Sequence, residues 1–383
     1  MTDLEDLAWV LSVDALDRSW RELMEAGVIF EAAGELRLAA SAYDLAYGAA
    51  PDEAIVVAAR RRVLDQLVVR EHGLVFRYVP AGAFVMGNDE GEPDERPAHR
   101  VTLGGFWITD VPITWAAYCR LMGWASPPDG VPPEIAERET ATRDDDDAFD
   151  RAAFSLYEDN KIRLQYCESH TTGAADWHAH LAITPESGLR DLFPEPPRDD
   201  VEAPESWDDK PMVAVGWYDA EALTEHLSTS DVHYWLPSEA EWEKAARGGL
   251  RGCLYPWGAE PPSAARCDFG ALERVSINVP RAYAPNGYGL HAMVGTVWEW
   301  THDWYDADAY EHATESDPEG PPDGQQKVLR GGSWTDCEDV CTVTWRMGLA
   351  PSTWRDGRGD HSNPNIGFRI VRHDTRAHGV ERP

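Results

Sequence analysis

The chain has 383 residues, 68 of them acidic and 34 basic, which gives a formal charge of −34. So acidic a chain has no general attraction for nucleic acid or anionic membrane, both of which need a basic face, and neither is expected as a partner. Hydrophobic residues make up 43%, enough for a large core, and at about 100–200 residues per domain two or three units are expected.

The N-terminus, MTDLEDLAWVLSVD, is acidic where a secretory leader is basic. No apolar run approaches the roughly 18 residues of a membrane helix. Cys119, Cys167, Cys253, Cys267, Cys337 and Cys341 are too few in so long a chain for a disulfide framework. A cytoplasmic protein with reduced thiols is expected. Four Lys stand against thirty Arg, which reads as coding bias, and the acidity reads as solubility.

Residues 1–72 predict helices, with apolar and small residues at three- and four-residue steps, as in Leu23, Gly27 and Phe30. Gly27, Phe30, Ala39, Tyr43, Ala46 and Pro51 resemble one tetratricopeptide repeat opened by Trp20. An antiparallel pair over 20–33 and 36–49 is expected, with Gly27 and Ala39 at the contact. One repeat cannot bury its own face, so flanking helices over 3–17 and 52–70 must complete the layer. Such a unit reads either as an arm for a protein partner or as a cap on the main domain.

At Gly73 the pattern changes. LVFRYVPAGAFVMG alternates β-branched and aromatic residues around Pro80 and Gly82 and predicts a hairpin. HRVTLGGFWITDVPIT predicts two more strands, and ITWAAYCRLMGW a short amphipathic helix. Residues 125–209, rich in Pro and acidic runs, read as a loop-rich insertion with a solvated surface. DAEALTEHLS and SEAEWEKAARG predict two helices. The second carries Ser238 as N-cap, Glu241 as its capping-box partner and Gly248 as its stop. Seventeen Trp among loops and short strands imply a domain held by aromatic packing.

Taken in order, several segments resemble the formylglycine-generating-enzyme (sulfatase-modifying factor) family. They are FRYVPAGAFVMG, ERPAHRVTLGGFWITDVPIT, DKPMVAVGWYDAEAL, YWLPSEAEWEKAARGG, YPWG, PNGYGLHAMVGTVWEWTHDWY, LRGGSW and NIGFRIVR. The resemblance implies an α+β fold of C-type-lectin-like kind over 74–372, preceded by a small all-α unit over 1–72 and followed by a tail, 373–383. The family's enzyme oxidises a client cysteine to formylglycine with oxygen, using copper(I) on two cysteines, and carries structural calcium.

Carried over residue by residue, the resemblance places the copper pair at Cys337 and Cys341 and the active-site serine at Ser333. Two thiolates are soft donors that suit copper(I). The family has four residues between its cysteines, whereas here Glu338, Asp339 and Val340 make three. Counted from Trp334, Cys341 falls on the expected position and Cys337 is displaced by one. Glu338 and Asp339 add negative charge that disfavours thiolate. For calcium, the resemblance points to the carbonyls of Gly295 and Val297 and the carboxylate of Glu299, with Ala292 where an Asn ligand belongs. A weak site follows, or Glu299 bonds backbone amides instead. Asp268 and Asn278 are the only candidates for a second calcium site, and no site is expected there.

His170, His178 and His180, with Glu168 and Asp176, could ligate a metal but lack helical spacing and read as a polar loop. Cys253 and Cys267 flank YPWG and read as buried small residues rather than a redox pair. Three functions remain open. One is a copper-dependent oxidase of a cysteine peptide or small thiol. Another is a non-catalytic ligand- or protein-binding module, an adaptor or immunity protein. Its variable face would be 335–365, with Trp345 and Trp354. The third is a metal-dependent tailoring oxygenase.

Overall fold

The computed structural model describes residues 4–122, 208–213, 215–270, 277–351 and 365–374. The expected insertion, 125–209, therefore lies almost wholly outside the described residues, together with His170, His178 and His180. Among the described residues no helix is long and apolar enough to cross a membrane.

The chain opens with two 3-10 turns, Leu4–Leu11 and Val13–Asp17, where the sequence predicts one helix. Ser12, N-cap of the second turn, has an extended backbone that interrupts any continuous helix. Helix α1 (Trp20–Ala32) starts at a capping box in which Ser19 and Glu22 satisfy each other's amides. Helix α2 (Leu36–Ala49) folds back on it through the turn at Gly34, and α3 (Ala54–Leu64) packs on α2.

Gly27 and Ala39 are both buried in the helical unit, as expected. A Cβ at Gly27 would lie 2.3 Å from Cε1 of Tyr43, whose ring is fully buried and whose hydroxyl donates to Glu31 at 2.8 Å. Gly27→Leu must therefore push the two helices apart. We expect it to lower stability by about 1–3 kcal/mol, read as a shifted denaturant midpoint with an unchanged slope. An unshifted midpoint would mean that the helices separate freely.

The helical unit is docked on the main domain. Arg60 of α3 donates to Asp44 Oδ1 (2.8 Å) and to the carbonyls of Gly287 (2.6 Å) and Gly248 (2.9 Å). Tyr288 donates to the other oxygen of Asp44 at 2.7 Å. Arg251 reaches back to the carbonyls of Leu16 and Leu45. A buried cluster runs unbroken from Phe30 and Tyr43 to Trp107 and Phe76.

Among the described residues, three sheets form the main domain. Strands β1 (Val69–Glu71), β2 (Leu74–Val79), β5 (Phe106–Thr109), β11 (Val371–Asp374) and β6 (Val232–Trp235) form a five-stranded sheet in the order β1-β2-β5-β11-β6. Strands β10 (Ile366–Phe368), β7 (Trp298–Trp304), β8 (Lys327–Arg330) and β9 (Arg346–Leu349) form a second sheet in that order. Strands β3 (Gly82–Met86) and β4 (His99–Leu103) pair alone. The expected hairpin at 74–87 is thus corrected. Strand β2 pairs with β1 and β5, while β3 pairs with β4. Pro80 offers no amide for a hairpin ladder, and Gly82 at φ +124 swings the chain into another layer. Two boundaries also move. Strand β1 occupies residues expected to be helical, and β11 continues into the expected tail through His373 and Asp374, which pair with β6.

Helices α4 (Trp115–Met122), α5 (Trp217–Leu227) and α6 (Glu239–Arg247) fall where the sequence predicts them. Helix α6 has its Ser238–Glu241 capping box, and Gly248 closes it in the left-handed region at φ +60. All nine residues of α6 are buried, although five of them are Glu, Lys or Arg. Most of their partners are distant in sequence. Glu243 accepts from Arg247 (2.6 Å), Arg330 (2.5 Å) and the Gly87 amide (2.8 Å). Glu239 is held in a fork by Arg346 at 2.6 and 2.9 Å. Ion pairs backed by further hydrogen bonds are the form in which an interior accommodates charge.

Candidate thiol site

The Gly-Gly-Ser segment follows β8, with Gly331 at φ +99 and Gly332 at φ +68. A Cβ at Gly332 would lie 3.0 Å from the sulfur of Cys341, so this glycine makes room for the thiol. A single tight turn then joins Cys337 to Cys341, through bonds from Val340 N to Cys337 O and from Cys341 N to Glu338 O, both 3.2 Å. Arg330 anchors the chain just beyond, donating to the carbonyls of Val343, Thr344 and Trp345 at 2.7–2.9 Å.

The two cysteines differ in surroundings. Cys341 is fully buried and its thiol points to the Ser333 carbonyl at 3.9 Å, whereas Cys337 is exposed. Both are free thiols, as are Cys253 and Cys267. Asp336 stands one residue before Cys337 and turns inward. Its carboxylate accepts from the Ser333 hydroxyl and from the Ser333 amide at 2.9 Å. Asn365 donates to the same hydroxyl (3.0 Å) and to Thr335 (3.1 Å). Sequence reasoning missed Asp336 and Asn365. The available signal was the count from Trp334, which leaves Asp336 at the position vacated by the displaced cysteine.

Burial is the largest influence on the Cys341 thiol. Burial raises its thiol far above the usual range, and Cys267, Asp336, Cys337 and Asp268 raise it further. Cys267, itself buried, is pushed up to about 12 by burial and by Asp268. Burial also raises Asp336, against the hydrogen bonds from Ser333. Cys253, by contrast, is half-buried, with its thiol on the Arg251 carbonyl.

The loop from Ala292 to Glu299 is stabilised differently. Ala292 (φ +51) and Thr296 (φ +66) lie in the left-handed region despite carrying side chains. Glu299 is buried, and its carboxylate accepts from Arg369 at 2.8 and 3.0 Å and from Trp242 at 2.8 Å. Arg369 also donates to the carbonyls of Thr109, His291 and Ala292. Burial raises the Glu299 carboxyl and the Arg369 charge opposes that rise. Asp268 accepts from the Asn278 amide at 2.9 Å, and the Asn278 side chain donates to Tyr283. Among the described residues no group of three or more His, Cys, Asp or Glu is placed to hold a metal ion.

A helical unit docked on a three-sheet α+β domain, with a thiol turn after a Gly-Gly-Ser segment, defines a formylglycine-generating-enzyme-like protein. Residues 69–374 match the Sulfatase-modifying factor enzyme 1-like domain, and the chain belongs to that family. It is 30% identical over 312 residues to the formylglycine-generating enzyme of Streptomyces coelicolor, covering 76% of this chain and 87% of that one. It is also 29% identical over 323 residues to the inactive C-alpha-formylglycine-generating enzyme 2 of Mus musculus, covering 77% and 84%. Among solved structures, PvdO from Pseudomonas aeruginosa superposes with a TM-score of 0.52 at 22% identity, covering 80% of this chain and 97% of that one. That likeness concerns the fold alone. The C-type-lectin-like formylglycine-generating-enzyme fold expected from the sequence is thereby established.

Proposed function

We propose that this protein is an oxygen-dependent oxidase of a cysteine in a peptide or small thiol, with Cys337 and Cys341 holding copper(I). The observation that carries the reading is the Cys337–Cys341 turn, which joins two free thiols directly after the Gly-Gly-Ser segment. Soft sulfur donors suit a soft cation. Copper(I), when bound, would supply the electron that activates oxygen. Cys337 faces solvent, where a client thiol arrives, while Cys341 is sheltered. Asp336 accepts a hydrogen bond from the Ser333 hydroxyl and fixes its orientation. Free thiols of this kind suit a reducing cytoplasm. The test is anaerobic copper(I) titration of the purified protein, followed by oxygen uptake with a cysteine peptide. One equivalent bound tightly, with peptide-dependent uptake, is the expected result.

One observation favours a second reading, a non-catalytic binding module. The inward place beside Ser333 belongs to a carboxylate and not to Cys337. Absence of both copper binding and oxygen uptake would leave this reading in place. In that case the exposed turn and the docked helical unit become the surfaces for a protein or peptide ligand.

Calcium fits the donor set poorly. The one carboxylate at the expected position is already neutralised by Arg369, and Ala292 supplies no side-chain oxygen. We expect at most one weakly held ion near Glu299. After chelation, restoring about 1 mM calcium should raise the melting midpoint by no more than about 3 °C, the order expected of a site near its dissociation constant. A rise several times larger would show a tight structural site.

A further inference from the structure

We propose that the cleft between helix α3 and the loop 285–289 binds a monocarboxylate with a small apolar body. This site is independent of the chemistry at Cys337 and Cys341. The cleft encloses about 400 Å³ and is walled by Tyr47, Val57, Leu64, Tyr78, the loop 285–289 and three arginines. One wall is α3, which lies outside the matched family domain that begins at residue 69. The cleft therefore exists because the helical unit docks where it does.

The three arginines are not equivalent. Arg60 is spent on Asp44 and two carbonyls. Arg61 faces Asp65 at 3.7 Å. Arg77, on β2, has no hydrogen bond or ion pair among the described residues, and its Nε–H is buried without a partner. Gly289, at φ +83, lets the loop close over this guanidinium, because a Cβ there would stand only 3.1 Å from Nε. In a chain of charge −34, one cation is thus left unanswered inside a half-apolar cleft.

A buried donor without a partner is costly, and a charged one more so. The chemistry that answers it is an acceptor anion matched to a planar guanidinium, which a carboxylate provides. A single unpaired positive charge calls for a single negative one. A dianion would meet Asp65, whose carboxylate also lines the cleft. Tyr47, Tyr78, Val57 and Leu64 supply the surface for an aliphatic or aromatic body.

Titration calorimetry of the full chain with 3-phenylpropionate and hexanoate tests this, with 3-phenylpropanol and phenyl phosphate as comparators. We expect the carboxylates to bind and the alcohol not to. Arg77→Gln should weaken carboxylate binding roughly tenfold or more, the loss expected of one charge-assisted contact. Arg77→Lys should retain part of it, and Arg61→Gln should leave it near wild type. The Arg77 side chain makes no hydrogen bond or ion pair among the described residues, so its replacement should leave the fold intact. Val57→Trp, which narrows the mouth, gives a second, steric readout. The proposal is overturned by no carboxylate binding, by equal binding in Arg77→Gln, or by preference for phenyl phosphate.

Discussion

Replacing Arg330 by Met is expected to destabilise the protein by about 3–5 kcal/mol, the usual consequence of leaving one member of a buried ion pair alone. Arg330 and Glu243 both have side chains with no exposed surface and are 2.5 Å apart. The substitution strands the Glu243 charge against Arg247 alone and frees the carbonyls of Val343, Thr344 and Trp345. Those carbonyls follow Cys341 directly, so the thiol turn should loosen before the global transition, seen as faster amide exchange at 341–345. The same pair sets an acid limit. Burial alone would raise the Glu243 carboxyl, but Arg247 and Arg330 outweigh it and hold it below its ordinary value. Its contribution is therefore complete above the unfolded carboxylate pKa of about 4.3 and is lost as pH falls through the lower folded value. A destabilisation under about 1 kcal/mol in Arg330→Met would show that the cluster relaxes into solvent.

Cys341→Ser should abolish tight copper(I) binding and peptide-dependent oxygen uptake, since two-coordinate soft binding needs both sulfurs. Cys337→Ser should do the same while leaving stability nearly unchanged, because that side chain is exposed. Asp336→Asn separates the two readings of the site. It removes a negative charge that raises the Cys341 thiol yet keeps an acceptor for Ser333. If the thiols bind the metal, the variant retains copper, and protons are released more readily from Cys341. Because bound thiols must lose their protons, apparent affinity should climb with pH, by roughly tenfold per unit for each thiol still protonated. Copper affinity in Cys341→Ser equal to that of the parent would remove the oxidase proposal.

The order of elements was legible where local chemistry specifies it. Ser238, Glu241 and Gly248 marked both ends of α6, and HRVTLGGFWITDVPIT read directly as β4 and β5. The environment of α6 was not legible. EWEKAAR has the look of a solvated helix, and its burial depends on partners such as Arg330 and Arg346, more than eighty residues away. The arginine excess read as coding bias thus includes the counter-charges of Glu239, Glu243 and Glu299. The hairpin at 74–87 failed because alternation specifies a strand but not its neighbour. The thiol turn was found by resemblance. The inward turn of Asp336 required the fold, since a one-residue displacement in a loop does not by itself say which side chain faces in.

The position of β11 constrains how the chain can be made. Residues 371–374 lie between β5 and β6 in the finished sheet, so that sheet stays divided until the segment has left the ribosome. A nascent chain paused before residue 371 presents two open strand edges, each a template for mispairing with a neighbouring polypeptide. Truncation just before β11 should therefore yield an aggregating product rather than a shortened native one. Chaperone demand during synthesis should be concentrated in the interval between β6 and β11.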